Sequence, residues 1–204
     1  MATSPAIARF RIILWTLVIL AALGATALFV AKQNGWLDRY LPMGTTTAPF
    51  QLESTAGGAF TDKDLKGTPS LLFFGYTFCP DVCPTTMAES VEWRTDLGLK
   101  PEQLRTIFVT VDPARDTKEA LTDYLGAFDP SIIGLVGTPE QTEAAKAAFG
   151  VMSENQKPDE NGNYIVNHTA TLFLIGKNGE FEGTIAYGED KASAEAKIKR
   201  LVGA

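Results

Sequence analysis

The sequence predicts an α/β domain built around a mixed central sheet and preceded by one membrane-spanning helix. Three observations lead to this prediction. An uncharged apolar run fills residues 12–31, and segments with strand and helix patterns alternate after residue 69. Two late strand-like runs and a last helical segment close the chain, an order that favours a sheet with both parallel and antiparallel strands. The only two cysteines, Cys79 and Cys83, follow an early buried strand.

The N-terminal run has the length of a membrane anchor. Ile12 to Ala31 contains twenty uncharged residues, enough to span a bilayer as a helix. Arg9 and Arg11 precede it and favour a cytoplasmic N-terminus. The alternative is a cleaved signal peptide, because Ala25-Thr26-Ala27 has the small residues that signal peptidase accepts. The apolar run continues beyond that point, which favours an uncleaved anchor.

The chain therefore divides into four predicted parts: a cytoplasmic N-terminus (1–11), a transmembrane anchor (12–31), a linker (32–48) and a folded domain (49–204). The linker is polar and contains glycine and proline, as expected of a tether, and its Trp36 and Tyr40 would mark the far membrane interface. No long Arg- and Ser-rich transit sequence is present, which favours a bacterial inner membrane with the C-terminal domain in the periplasm.

The charge of the exported part excludes one class of function. Without Arg9, Arg11 and Lys32, 15 basic residues face 24 acidic ones, a net charge of −9. Nucleic-acid binding needs the opposite sign. The acidity would suit a basic docking partner, although solubility explains it equally well.

Strand and helix patterns follow in order along residues 50–149. Phe50–Leu52 and Gly58–Phe60 flank a polar turn and predict a hairpin. Capping boxes are predicted at Asp116 with Glu119 and at Thr138 with Gln141. The predicted strands are Ser70–Gly75, Thr106–Val111 and Ile132–Val136, and the predicted helices are Thr85–Leu97, Thr117–Phe128 and Pro139–Phe149.

The last part of the chain predicts a loop, a second hairpin and a helix. Residues 153–164 are polar, which indicates a loop insertion or a flexible hairpin. Thr169–Ile175 and Glu180–Tyr187 are apolar-rich and are joined by a turn containing Asn178-Gly179, the pair that tight hairpins favour. A helix over Asp190–Val202 follows.

The two cysteines form a C-x3-C motif at a strand-to-helix junction. The positive end of a helix lowers the pKa of a nearby thiol and favours the thiolate. Because a proline inside a helix removes a backbone bond, the helix is predicted to begin at Pro84, with Cys83 just before it. A structural disulfide is the alternative, but so short a loop would gain little stability from it. A dithiol after an early core strand makes the predicted domain thioredoxin-like.

The third candidate residue is His168, the only histidine of the chain. It precedes the predicted strand Thr169–Ile175. In a thioredoxin-like fold the loop that enters this strand packs beside the cysteine loop, so His168 is expected to meet Cys79 and Cys83. Two thiolates and one imidazole suit Cu(I) and accept Cu(II) with an added ligand. Zinc would need a fourth ligand such as Asp81 or Asp112. The haem motif C-x-x-C-H is absent.

Two further features have structural interpretations. Met87 lies one helical turn after Cys83 and offers a thioether, but a core position is the favoured interpretation. Asp112 to Thr117 follows a strand end, where sites gather in α/β sheets. A turn and a helix cap explain most of that segment.

With these motifs in view, the chain resembles the SCO/SenC family from about Phe50 to the C-terminus and in its anchor. The residues that carry the resemblance are Phe78–Pro84, Val109–Thr117 and Asn167-His168. Family members often have an aspartate where this chain has Asn167, a departure expected to alter Cu(II) affinity.

The resemblance implies a membrane-tethered, thioredoxin-like copper protein with Cys79, Cys83 and His168 as the copper ligands. It also implies a role in assembling the dinuclear copper centre of cytochrome c oxidase. The implied partners are the oxidase subunit that carries this centre and a copper donor protein. The leading hypothesis is thus a copper chaperone. The alternatives are a thiol-disulfide oxidoreductase that keeps the acceptor's cysteines reduced and, third, a binding or structural role.

Overall fold

The computed structural model describes residues 5–33 and 49–203, which belong to two compact units, Met1–Met43 and Gly44–Ala204. In the first unit, helix α1 (Pro5–Gln33) exposes apolar side chains such as Trp15 and Leu20. Within the described residues, no helix combines the length and the hydropathy that a membrane crossing requires. The anchor at 12–31 therefore stays a prediction, and the linker prediction with Trp36 and Tyr40 lies outside the described residues.

The second unit contains nine strands and four α-helices among its described residues. The strands are β1 (Gln51–Ser54), β2 (Ala59–Thr61), β3 (Ser70–Gly75), β4 (Arg105–Thr110), β5 (Ile133–Val136), β6 (Ser153–Asn155), β7 (Val166–His168), β8 (Thr171–Ile175) and β9 (Phe181–Ala186). The helices are α2 (Val82–Asp96), α3 (Lys118–Gly126), α4 (Pro139–Phe149) and α5 (Lys191–Val202), and a 3₁₀ turn covers Asp62–Leu65.

Seven strands form one mixed sheet in the order β2-β1-β5-β4-β3-β8-β9. The β3–β4 and β4–β5 pairs are parallel, whereas β8 pairs with β3 and β9 in antiparallel fashion. The predicted mixed α/β architecture and both predicted hairpins are confirmed. For each strand of this sheet, the predicted first and last residues lie within two positions of the observed ones.

Strand β3 lies inside the sheet, and all six of its residues are buried. An apolar run without polar alternation is typical of a strand covered on both faces. The end of this strand is crowded, because a Cβ atom on Gly75 would lie 2.8 Å from Cys83 Sγ and 2.9 Å from the Phe108 ring. Glycine at this position therefore lets the cysteine helix approach the sheet.

Helix α2 begins earlier than predicted. It starts at Val82, so Cys83 and Pro84 both lie in its first turn. The prediction that the helix begins at Pro84 was wrong, because the first N–H groups of a helix have no intrahelical acceptor and a proline there removes no bond. The capping box of Thr138 with Gln141 is confirmed at the start of α4.

The polar segment after α4, predicted as a loop insertion or a flexible hairpin, begins with a short strand, which fits the hairpin alternative. Strand β6 pairs with β7 in antiparallel fashion, and Ser153 lies opposite His168. The two strands form their own small sheet. The histidine is thus the last residue of a short paired strand and does not lie in an unpaired loop that leads into β8.

Substituting Gly75 tests the crowding behind the cysteine helix. We expect Gly75→Ala to lower the free energy of unfolding by about 1–3 kcal/mol, the usual cost of overpacking. Urea denaturation measures this change. Gly126→Ala is the matched control, because a Cβ atom there meets nothing within 4 Å. Equal stability of the two variants would contradict the assigned role of Gly75.

Candidate metal centre

The pairing of β3 with β8 brings the two halves of the candidate site together. The strands run antiparallel, with Phe73 opposite Leu172. The end of β3 therefore lies beside the start of β8. Because Cys79 and Cys83 follow β3 and His168 precedes β8, residues 85 positions apart meet at one edge of the sheet.

The three side chains form a compact group. Cys83 Sγ lies 3.5 Å from His168 Nε2, and the two sulfur atoms and a ring nitrogen all lie within 4.8 Å of one another. Both cysteines are free thiols. The predicted meeting of Cys79, Cys83 and His168 is confirmed, while their role as metal ligands remains a proposal.

The imidazole of His168 is held by its own strand and by two aromatic rings. Its Nδ1 lies 3.1 Å from the Thr169 carbonyl oxygen. The rings of Phe73 and Tyr76 meet the imidazole edge-on, each with centroids 5.8 Å away. A proton on Nδ1 donated to this carbonyl leaves the Nε2 lone pair facing the thiols, the arrangement a metal-binding histidine needs.

The two thiols have different surroundings. Cys79 is half-buried and Cys83 is buried. A hydrogen bond from the Cys83 thiol lowers the pKa of Cys79 to about 3, with hydrogen bonds from the backbone N–H groups of Asp81 and Cys83 acting in the same direction. The same bond, together with burial, raises the pKa of Cys83. The reduced site therefore holds one thiolate, at Cys79, and one thiol, at Cys83.

The start of α2 contributes to this asymmetry. The Cys83 N–H group lies 3.4 Å from Cys79 Sγ. This N–H is one of those that a helix leaves without an internal acceptor, and such groups stabilise a nearby anion. The C-x3-C spacing thus places the sulfur of Cys79 over the positive end of the helix.

Arg115 holds three segments of the site together. Its guanidinium forms an ion pair with Asp112, donates to the Tyr164 carbonyl oxygen at 2.9 Å and lies 3.6 Å from the centroid of the Tyr164 ring. It also lies 4.8 Å from the centroid of the Phe78 ring, which precedes Cys79. The Tyr164 hydroxyl donates to Asp112 at 2.8 Å. Asp112 is therefore occupied by Arg115 and Tyr164.

Asp116 has a role that sequence reasoning missed. It was predicted to cap helix α3, but the cap is Thr117, whose hydroxyl accepts from the Ala120 N–H. Asp116 is fully buried and accepts hydrogen bonds from the Thr77 backbone and hydroxyl and from the Thr110 hydroxyl. Burial raises its pKa. This carboxylate fastens the turn before Cys79 to the end of β4.

The remaining candidate residues lie outside the thiol–imidazole group. Among the described residues, no carboxylate joins Cys79, Cys83 and His168 in a closely spaced set. Met87 is buried in the core, as predicted. The Asn167 amide oxygen accepts a hydrogen bond from Gln156 at 2.9 Å. The hydrogen-bond partner of the imidazole is therefore a backbone carbonyl and not the Asn167 side chain.

Comparison with known proteins gives a consistent family assignment. The family model described as SCO1/SenC matches residues 39–203. The mitochondrial SCO1 homologue of Mus musculus is 39% identical over 149 residues, which cover 72% of this chain and 52% of that protein. The chain thus spans about half the length of this relative.

Two solved structures share the fold of the described domain. Bradyrhizobium japonicum ScoI with copper bound is 39% identical, has a TM-score of 0.68, and its match covers 75% of this chain and 97% of that one. Yeast Sco1 with copper bound is 34% identical with a TM-score of 0.69, over 76% and 87% of the two chains. The predicted thioredoxin-like fold of Sco proteins is confirmed.

The assigned thiolate makes a testable prediction about alkylation. Cys79 is deprotonated above about pH 3, so its reaction with iodoacetamide should stay nearly constant between pH 8 and pH 5. The rate of an ordinary cysteine falls over this range by roughly several hundredfold. Mass spectrometry of the reduced, metal-free protein measures the alkylation rate of Cys79 at pH 8 and at pH 5.

Cys83→Ala provides the control for this prediction. It removes the hydrogen bond that contributes most to the lowered pKa of Cys79. The variant should therefore lose its reactivity at a higher pH than the wild type. A wild-type rate that falls like that of an ordinary thiol would contradict the assignment.

Proposed function

The chain belongs to the SCO1/SenC family, and we propose that it is a copper-binding metallochaperone. The observation that carries this proposal is the group of two cysteine sulfurs and one imidazole within 4.8 Å. Soft sulfur ligands with one imidazole suit Cu(I). Structural zinc sites take four protein ligands, and the described residues supply no carboxylate to this group. The copper-bound Sco structures of similar sequence support the same choice.

Copper is the cargo of this site. Cys79 already offers a thiolate, whereas Cys83 must lose its proton when copper binds, so binding releases a proton to solvent. A three-ligand set leaves room for a ligand from an acceptor. Since Cys79 is half-buried and Cys83 is buried, an incoming ligand reaches the side of Cys79 first.

The acceptor and the location of the chain belong to the same proposal. Family membership supports delivery to the dinuclear copper centre of cytochrome c oxidase, with a separate protein as copper donor. The uncharged run at 12–31 and the exposed apolar side chains of α1 support a single-pass anchor in a bacterial inner membrane. The domain at 49–204 would then face the periplasm.

A second function is favoured by the asymmetry of the thiols. A half-buried, low-pKa cysteine beside a buried one suits thiol-disulfide exchange. The Cys79 thiolate would attack a partner disulfide and expel one partner thiolate. Cys83, after losing its proton, would attack the mixed disulfide and expel the second. The partner gains two electrons, and this chain keeps a Cys79–Cys83 disulfide.

Copper titration separates the two functions. We expect the reduced full-length chain to bind one Cu(I) per molecule in competition with a chelator, and Cys79→Ser or Cys83→Ser to abolish tight binding. His168→Ala should weaken binding by more than tenfold, because one of three ligands is lost. Full copper stoichiometry in the cysteine variants would contradict the copper assignment.

His168→Phe serves as a matched variant. It keeps an aromatic ring beside Phe73 and Tyr76 but removes both nitrogen atoms, so it distinguishes the loss of the ligand atom from the loss of the ring. Binding that is indifferent to both His168 variants would favour the oxidoreductase function.

The anchor proposal has its own test. We expect the chain to remain in the membrane fraction after a carbonate wash at high pH, because a spanning helix resists extraction. An exogenous protease added to spheroplasts should digest the C-terminal domain. Release of a shortened, soluble chain would instead support cleavage near Ala27.

A further inference from the structure

The small β6–β7 sheet has one open edge. Met152 and Gln156, the residues on either side of β6, each form a backbone hydrogen bond with a residue that flanks β7, at 3.0 and 2.8 Å. In an antiparallel pair only alternate residues bond to the partner strand. The N–H and C=O groups of Ser153 and Asn155 therefore point away from β7, and the described residues offer them no hydrogen-bond partner.

The edges of the seven-stranded sheet are covered by the chain's own side chains. On edge strand β2, the Thr61 N–H donates to the Asp64 carboxylate at 2.7 Å. On edge strand β9, the Thr184 carbonyl oxygen accepts from the Lys197 ammonium group at 2.8 Å. Such contacts prevent a strand edge from pairing with another chain. The edge of β6 has no such cover among the described residues, so it is open to an added strand.

The open edge of β6 borders a groove. Ser153 and Asn155 line this groove together with Pro113 and with Glu143 and Lys146 of helix α4. Its volume is about 360 Å³, within the range of ligand-binding sites. A three-residue extended segment is about 10 Å long, which equals the length of β6. The groove therefore suits a short stretch of extended chain.

Lys146 gives the groove a preference for negative charge. Its side chain is 7% exposed, and its ammonium group bonds to Glu143 at 2.5 Å. An ammonium group has three N–H donors, and Glu143 is the one acceptor that the described residues supply. Burial of a cation with so few acceptors is costly. A carboxylate brought into the groove would therefore gain a charged partner.

A second copy of this chain does not fit the edge. If two β6 strands paired in antiparallel fashion with Ser153 opposite Asn155, the Glu154 side chains of the two copies would lie directly opposite each other. Glu154 is exposed, and like charges in that position destabilise a strand pair. A lipid surface has no regular row of N–H and C=O groups to pair with a strand. A peptide segment supplies both.

We propose that an extended peptide segment of another protein adds to β6 as a third strand and places an aspartate or glutamate side chain on Lys146. The backbone of the segment exchanges hydrogen bonds with Ser153 and Asn155, a mode of recognition called β-augmentation. Neither cysteine lines the groove, and His168 does not line it either. The peptide site is therefore separate from the candidate metal centre and goes beyond the proposed copper function.

A peptide array supplies the probe. Its members have the form Ac-Thr-X-Asp-X-Thr-NH₂, in which X is any amino acid except proline, because proline lacks the N–H that a ladder needs. The β-branched threonines favour an extended backbone. We expect members of this array to bind the reduced full-length chain with a Kd below about 1 mM, measured by calorimetry.

Exchange of the central aspartate for asparagine tests the role of Lys146. We expect the aspartate peptides to bind about tenfold more tightly than the asparagine peptides, because charge-assisted hydrogen bonds are the stronger ones. In Lys146→Met, which keeps an apolar side chain but has no ammonium group, this preference should disappear. Lys177→Met removes the same charge from the turn between β8 and β9, outside the groove, and should leave the preference unchanged.

Asn155→Pro tests the backbone bonds. The N–H that proline removes points away from β7, so the β6–β7 ladder keeps its bonds. We expect this variant to bind the peptides about tenfold more weakly. Its circular dichroism and its urea midpoint should stay close to those of the wild type and show that it is folded. In the wild type, bound peptide should slow amide exchange at Asn155.

Three outcomes would overturn the peptide proposal. The first is an array without any member that binds, and the second is equal binding by wild type, Lys146→Met and folded Asn155→Pro. The third is self-association in sedimentation that Asn155→Pro abolishes, which would assign the edge to a second copy of the chain. If Asn155→Pro does not fold, the aspartate preference of wild type and its loss in Lys146→Met decide the question. Copper titration of the wild type tests the proposed function separately.

Discussion

The antiparallel pairing of β3 with β8 is the constraint on which the candidate centre depends. Cys83 of the C-x3-C motif and His168 are 85 residues apart. The segment after β3 and the segment before β8 therefore each supply only part of the candidate ligand set. The register that sets Phe73 opposite Leu172 places the end of one strand beside the start of the other. A slip of the register by one residue would turn every side chain of the strand to the other face of the sheet. Core packing that fixes this register therefore also fixes the distance between sulfur and imidazole.

Polar contacts hold in place the loops that surround the candidate centre. Asp116 holds the turn before Cys79, and Arg115 joins that turn to the segment that leads into β7. The two thiols then differ because one stands over the first turn of α2 and the other lies within it. The same asymmetry serves copper capture and disulfide exchange, which explains why the two functions are hard to separate by sequence and why His168 is the discriminating residue.

Local patterns predicted the elements of the sheet and the cap at Thr138, because strand runs and capping boxes involve neighbouring residues. The meeting of His168 with the cysteines was predicted through the thioredoxin-like fold, because that fold brings the two segments together. Asp116 was misassigned because its partner Thr77 lies 39 residues away, and an aspartate before a helix also fits a cap. Strand β6 lies in a segment for which a loop insertion and a flexible hairpin both stayed open, because its polar residues have no apolar alternation. The Arg115 contacts join three separate segments and have no signature in any one of them.

X-ray absorption spectroscopy of the full-length chain loaded with one equivalent of Cu(I) counts the atoms bound to the metal and identifies their elements. We expect two sulfur ligands and one nitrogen ligand in the wild type, with the imidazole scattering lost in His168→Phe and one sulfur lost in Cys83→Ser. A copper environment without imidazole, or one unchanged by either substitution, would contradict the claim that Cys79, Cys83 and His168 form a single copper site.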